Sequence, residues 1–348
     1  MGEQQRWRQR PPGSTWGDFG PDDERGRLNL ITREKVLQGI SEVREGRSFC
    51  LSLPLDYPGG NVLNPRRHPP RLAPTERGGR PNMNFPLNRE DPRYTDIVSD
   101  DQVMLTLQYS TQWDSLAHVG QMFDADGDGV PEFVYYNGFR AGRDVIGPID
   151  YAHGDAPVAA PSGARRLGVE NMAEACIQGR AVMIDLEAHF GRARTLVGYD
   201  ALMAVMAKDR IIVEEGDMVC LHTGFAAMLL EMKGNPDPAR VHDACAALDG
   251  RDARLQDWIT QSGLAALIAD NYAVEAVPAR PCEEDHCASL PLHAHCLFRL
   301  GVNLGELWYL SELAAWLRAA GRSRFLLTAP PLRLPGAVGS PVTPIATV

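Results

Sequence analysis

Few of the usual signatures of a chemical class are present in these 348 residues. No Gly-x-Gly-x-x-Gly opens a helix after a strand, and there is no P-loop lysine motif. Nucleotide binding therefore has no positive signal. No Gly-x-Ser-x-Gly elbow occurs, so serine-hydrolase chemistry is unsupported. No stretch approaches the roughly 20 apolar residues a membrane helix needs. The N-terminus, MGEQQRWRQRPPGSTWGDFG, lacks an apolar core of signal-peptide length. An excess of basic residues is also missing. The net charge is −10, which argues against nucleic acid or an anionic membrane as partner. The expectation is a cytoplasmic protein acting on a small molecule. Seven scattered cysteines, an odd number, fit reduced thiols better than a disulfide framework.

What is present is apolar bulk. Hydrophobic residues make up 44% of the chain, enough for one sizeable core. Helical and strand-like stretches alternate, which predicts an α/β fold. Thr32 can cap a helix carrying Val36, Ile40 and Val43, and Asp200 one over 201–208. Strand signals fall at 49–55, 103–107, 181–186, 211–213, 218–222, 272–277 and 325–328. Helical spacing runs over 255–269 and 307–320. Residues 1–14 read as a flexible arm and 15–348 as one domain. Within it, 56–95 is rich in Pro, Gly, Asn and Arg, as a lid or an oligomer arm would be.

The chemistry concentrates in YSTQWDSLAH, residues 109–118. As a continuation of the strand at 103–107, it would point Gln108, Ser110, Gln112 and Asp114 to one face, with His118 just beyond. Asp114 and His118 can form a proton-sharing pair. Glu306 stands in an otherwise apolar stretch, where a buried carboxylate needs a partner; His293 and His295 lie upstream. The spacing of Cys282, Cys287 and Cys296 matches no common zinc template. Asp124 to Glu132, DADGDGVPE, imitates a calcium loop, but Tyr135 stands where a bidentate Glu is needed; an exposed acidic turn is expected. His222 in VCLHTGF reads as a structural histidine at a strand end.

Six segments in order carry a family resemblance: WGDFGPDDERGRLNLIT, GRAVMIDL, EEGDMVCLHTGF, NYAVEAVP, GVNLGELWYLSELA and APPLRLPGAVGSPVTPIA. Together they resemble the cyclase family, which includes bacterial kynurenine formamidases and isatin hydrolases. The resemblance implies a mixed, strongly curved, barrel-like sheet flanked by helices. The family motif HxGTHxDxxxH aligns with Gln108 to His118. By that alignment Asp114, His118, Glu306 and His293 correspond to catalytic residues, with His295 as the fallback for His293. Gln108, Ser110, Gln112, Trp113 and His295 are then expected around the substrate.

The departure from the motif is specific. Both metal-binding histidines are replaced, by Gln108 and Gln112, and a carboxamide is a poor ligand for zinc or manganese. No firm cofactor follows, and at most one weakly bound divalent ion. The leading expectation is hydrolysis of a small amide, formamide or cyclic C–N substrate. The alternative is metal-independent cyclase or dehydratase action on a polyketide-like or enolisable substrate. A third is a ligand-binding protein without chemistry. The resemblance also implies a homodimer or homotetramer.

Overall fold

The computed structural model describes residues 6–149 and 161–348. Nine strands form one mixed, strongly curved sheet. They are β1 (Ser48–Cys50), β2 (Gln112–Asp114), β3 (Gln178–Asp185), β4 (Met218–His222), β5 (Ala266–Ala269), β6 (Asn303–Glu306), β7 (Arg324–Thr328), β8 (Gly339–Pro341) and β9 (Ile345–Thr347). The order across the sheet is β1-β9-β7-β3-β4-β5-β6-β2-β8. The central strands β3 to β6 run parallel. Those flanking them pair antiparallel.

The central strands read as nearly continuous apolar runs because helices and loops cover both faces. Alternate residues serve opposite sides. Val182, Ile184, Val219, Leu221 and Leu267 join one buried cluster, while Ala181, Met183, Cys220 and Ile268 join the other. The helix Arg33–Ser41 is capped by Thr32, whose hydroxyl accepts the Lys35 N–H at 3.3 Å. Lys35 then reaches Asp217 at 3.1 Å, and Arg180 donates to the same carboxylate at 2.8 and 3.0 Å. That buried ion group ties the helix to β3.

Several elements differ from expectation. The strand expected at 103–107 is Asp101–Met104, and it pairs with Arg71–Pro74 in a separate two-stranded ribbon. It does not run into Tyr109, because the Tyr109 N–H closes a turn onto Thr106 O at 3.0 Å. The helix expected over 255–269 is Ala253–Ser262. Gly263 ends it in the left-handed region (φ 66°), and Ala266–Ala269 becomes β5. Residues 272–277 form no strand; Ala273 and Val274 both have positive φ. Residues 211–213 form none either. Asp200 lies inside the helix Tyr199–Asp209, whose first N–H is taken by Asp252 at 2.7 Å.

The segment 56–95 holds short antiparallel pairings, including Glu76–Arg77 with Arg80–Pro81. Of the arm expected over 1–14, residues 1–5 lie outside the described residues; Trp7 is buried edge-on to Trp16. The expectation of reduced thiols fails at one place. Cys282 and Cys287 form a disulfide, brought together by a tight turn that leaves their Cα atoms 6.5 Å apart. Among the described residues no helix is long and apolar enough to cross a membrane.

Candidate active site

Strand β2 places the first residues. It pairs antiparallel with β6, so Gln112 lies opposite Glu306 and Asp114 opposite Leu304. Directly opposed side chains share a sheet face. Gln112, Asp114 and Glu306 therefore project to one side. The Gln112 amide nitrogen is 3.1 Å from Glu306 Oε2 and 3.2 Å from Asp114 Oδ1.

Trp113, between them, projects to the other side. It is fully buried, meets Trp308 in a T-shaped contact at 5.0 Å, and donates its indole N–H to Ala329 O at 2.8 Å. Trp308 donates to Gln112 O at 3.0 Å. It lies so close over Gly305 that a Cβ there would come within 2.9 Å of its indole nitrogen. The tryptophan pair is a rigid floor that fixes the β2–β6 register, worth about 1 kcal/mol beyond its burial. Trp113 is thus a core residue and not the substrate contact expected.

His118 follows on a turn after β2, its N–H bonded to Ser115 O at 3.0 Å. Its Nε2 is 3.8 Å from Asp114 Oδ1, and its side chain keeps 21% of its exposure. His293 comes from the short helix Pro291–His293, which leads into a π-helical stretch, Ala294–Leu300. Glu275 holds it from behind. One Glu275 oxygen accepts both the His293 N–H (3.0 Å) and Nδ1–H (2.8 Å), and the other accepts the Leu292 N–H at 2.9 Å. The far ring nitrogen, Nε2, is 3.3 Å from Glu306 Oε1.

The structure thus brings Asp114, His118, His293 and Glu306 together. Gln108 lines the same cavity, a space of about 250 Å³ walled by Tyr109, Tyr272, Leu63, Leu290 and Val277. Ser110 and His295 are not among the residues lining it. Ser110 lies in a turn rather than a strand, and its hydroxyl donates to Pro54 O at 3.2 Å. His295 Nε2 is 2.9 Å from Thr260 Oγ1 and 2.9 Å from Gln256 O, a bond to the helix Ala253–Ser262. Of the two candidate histidines, His293 faces the site.

Two further contributors went unread in the sequence. Glu275 is buried in YAVEAV, an apolar setting like that of Glu306, and the same reasoning would have flagged it. Arg67, from the long segment, lines the cavity and donates to Gln108 O at 2.8 Å. Nothing in the local pattern marks it. Left-handed backbone brackets both glutamates: Val274 (φ 58°) precedes Glu275 and Leu307 (φ 56°) follows Glu306. Strain of this kind, costly for a β-branched residue, is commonly held at sites.

The two carboxyl groups facing the cluster are driven apart. Burial raises the Asp114 pKa, and the neighbouring Glu306 charge adds to that, against the pull of His118. Burial would raise Glu306 too, but the hydrogen bond and charge of His293, with Arg67 and His118 beyond, bring it below its ordinary value. Burial would lower His293; Glu275 and Glu306 together overcome it and push the imidazole up to about 10. Carboxyls separated in this way divide acid and base roles.

Asp114, His293 and Glu306 each offer a ligand atom, all within 4.8 Å of one another. Asp114 Oδ2 and Gln112 Oε1 are buried without a hydrogen-bond partner. A carboxylate oxygen left open beside a carboxylate-backed histidine fits one divalent ion. With Gln at positions 108 and 112, the donor set is too poor in imidazole for two. Its oxygen-rich character suits manganese at least as well as zinc. The acidic turn is a separate matter. Asp124 spends its carboxylate on the N–H groups of Gly127, Asp128 and Gly129.

Residues 51–276 match the family model described as "Putative cyclase". A solved structure described as a novel cyclase is 30% identical, with a TM-score of 0.70 over 98% of this chain and 100% of that one. Isatin hydrolase A from Labrenzia aggregata, bound to benzyl benzoate, is 13% identical, with a TM-score of 0.53 over 86% of this chain and 93% of that one. Isatin hydrolase A from Ralstonia solanacearum is 15% identical, with a TM-score of 0.53 over 86% and 91%. At these lower identities the likeness is one of fold. No curated protein matches. By the family model and the 30% identical neighbour, the chain belongs to the cyclase family.

Proposed function

We propose that this protein hydrolyses the C–N bond of a small amide, formamide or cyclic amide. The carrying observation is His118: a partly exposed imidazole at the cavity, backed by the buried Asp114. In this reading water attacks the carbonyl carbon and the His118 imidazole takes its proton, with Asp114 on the Nε2 side of the ring. The C–N bond then breaks and the proton passes to the leaving nitrogen. Asp114 steadies the imidazolium.

Gln112 cannot also hold the substrate oxygen, since its amide N–H groups point at Asp114 and Glu306. Of the two glutamines, Gln108 is the one that lines the cavity, beside Asn61 and Asn64, and in this reading it donates there. Were a divalent ion bound by Asp114, His293 and Glu306, it would polarise a carbonyl and activate water. The isatin hydrolase neighbours support hydrolysis as a reading, as a shared fold and no more.

One observation favours a second reading, metal-independent cyclase or dehydratase action. The Gln112 amide and a protonated His293 already balance Asp114 and Glu306 without an ion. A panel of formyl-arylamines, lactams and lactones, run with wild type and His118→Ala, tests the choice. Hydrolysis predicts amine release that the variant loses. Loss of substrate without added water favours the second reading.

The ribbon formed by 71–74 and 101–104 leaves Leu72 and Met104 about three-quarters exposed. We take that as support for a homo-oligomer, to be tested by light scattering.

A further inference from the structure

We propose that Arg67 is a specificity residue that receives a carboxylate carried by the substrate, so that the preferred ligand is a small aromatic amide bearing an acid group. This rests on the amide-hydrolase reading of the same cavity.

Three observations carry it. First, Arg67 is half-buried, and its side chain lines the cavity that His118, His293 and Glu306 also line. Second, among the described residues Arg67 has no carboxylate within ion-pair distance, 4.0 Å. Its one side-chain hydrogen bond among the described residues, Nη1 to Gln108 O at 2.8 Å, fixes one edge of the guanidinium. Asp114 and Glu306 feel its charge from beyond contact distance, but no carboxylate among the described residues takes up its fork, whose planar shape matches a carboxylate. Third, the segment that carries Arg67 is pinned over the cavity. The Tyr109 hydroxyl donates to Gly60 O at 2.8 Å and accepts the Gly59 N–H at 3.0 Å, while the His68 N–H bonds Thr106 Oγ1 at 3.1 Å. Arg67 is therefore held in place between anchors on both sides in sequence.

The cavity is thereby polar at two places. His118 and Glu306 mark the chemical end, and Arg67, with exposed Arg66 beside it, supplies positive charge among the other lining residues. Tyr109 and Tyr272 supply aromatic wall. An amide N–H or carbonyl suits the first place, a flat ring the walls, and an anion the arginine.

The test uses the three isomeric formamidobenzoates and their methyl esters, with wild type, Arg67→Gln and Arg67→Lys. Thermal shift and calorimetry read binding, and kcat/KM reads turnover. We expect wild type to favour at least one acid over its ester by about tenfold or more, as a charge-assisted bidentate pair implies. Arg67→Gln brings that ratio to within about threefold of one, chiefly through KM, and Arg67→Lys recovers only part. An acid and its ester bound equally by wild type would overturn the proposal. So would a ratio unchanged in Arg67→Gln. The acid-to-ester comparison is made within each variant, so a loss of folding cannot imitate it. If acids bind selectively but no probe is hydrolysed, the carboxylate site stands and the hydrolase reading fails.

Discussion

Gln112 faces Glu306 across the β2–β6 register, its amide nitrogen 3.1 Å from Glu306 Oε2 and 3.2 Å from Asp114 Oδ1. One carboxamide thus separates two buried carboxyl groups. Replacing it with Leu keeps the bulk and removes both hydrogen bonds. Each orphaned buried acceptor costs about 1–3 kcal/mol, so Gln112→Leu should lower the urea midpoint clearly. An unchanged midpoint would mean the amide does not serve as this bridge.

His118→Ala should lower kcat by about 10²- to 10⁴-fold on any true substrate, as loss of a general acid–base does. The side chain is partly exposed and makes no hydrogen bond through its ring among the described residues, so the melting temperature should move little. Steady-state kinetics beside a melting curve checks both halves.

Glu275 sets the protonation of His293 through the 2.8 Å bond to Nδ1. With the carboxylate present, the imidazole titrates at about 10. Glu275→Gln should bring that titration down toward the ordinary histidine range, visible in two-dimensional NMR of labelled imidazoles. A titration unmoved by the change would assign the shift to Glu306 alone.

His222 lies at the end of β4, its Nδ1 2.7 Å from Asp185 and its Nε2 3.0 Å from Ser311 Oγ and 3.3 Å from Glu187. Burial would lower its pKa, but the Asp185 bond and the charges of Asp270, Asp185 and Glu187 raise it above the usual value. The folded state therefore holds a proton that the unfolded chain releases near pH 6.5. The stabilisation is full below that pH and fades as pH rises through the folded value. From pH 6 to 9, wild type should lose stability more steeply than His222→Gln. Equal slopes would contradict the assignment.

The sequence made the parallel core legible because β3, β4 and β5 are apolar runs that only a sheet covered on both sides explains. It also showed the polar cluster, since Asp114 and Glu306 are carboxylates in apolar settings. Nearness to the cluster misled where alternation already pointed the other way. Trp113 looked like a pocket residue, yet alternation within the strand from Gln112 to Asp114 sends it to the opposite face, onto Trp308. His293 and His295 were indistinguishable in sequence. They differ in what stands behind them: Glu275 for the first, a helix backbone carbonyl for the second. Arg67 was illegible, because its role depends on a loop brought over the cavity by Tyr109. The Cys282–Cys287 pairing depends on a turn that no spacing rule announces.

The measurement that bears most directly on the account is isotope incorporation from ¹⁸O-labelled water, read by mass spectrometry on the products of the formyl-arylamine and lactam panel. The account predicts one labelled oxygen in the acyl product of the active substrate, formed by His118→Ala at a rate lower by about 10²- to 10⁴-fold. Turnover without label, or labelled product formed at an equal rate by the variant, would contradict it.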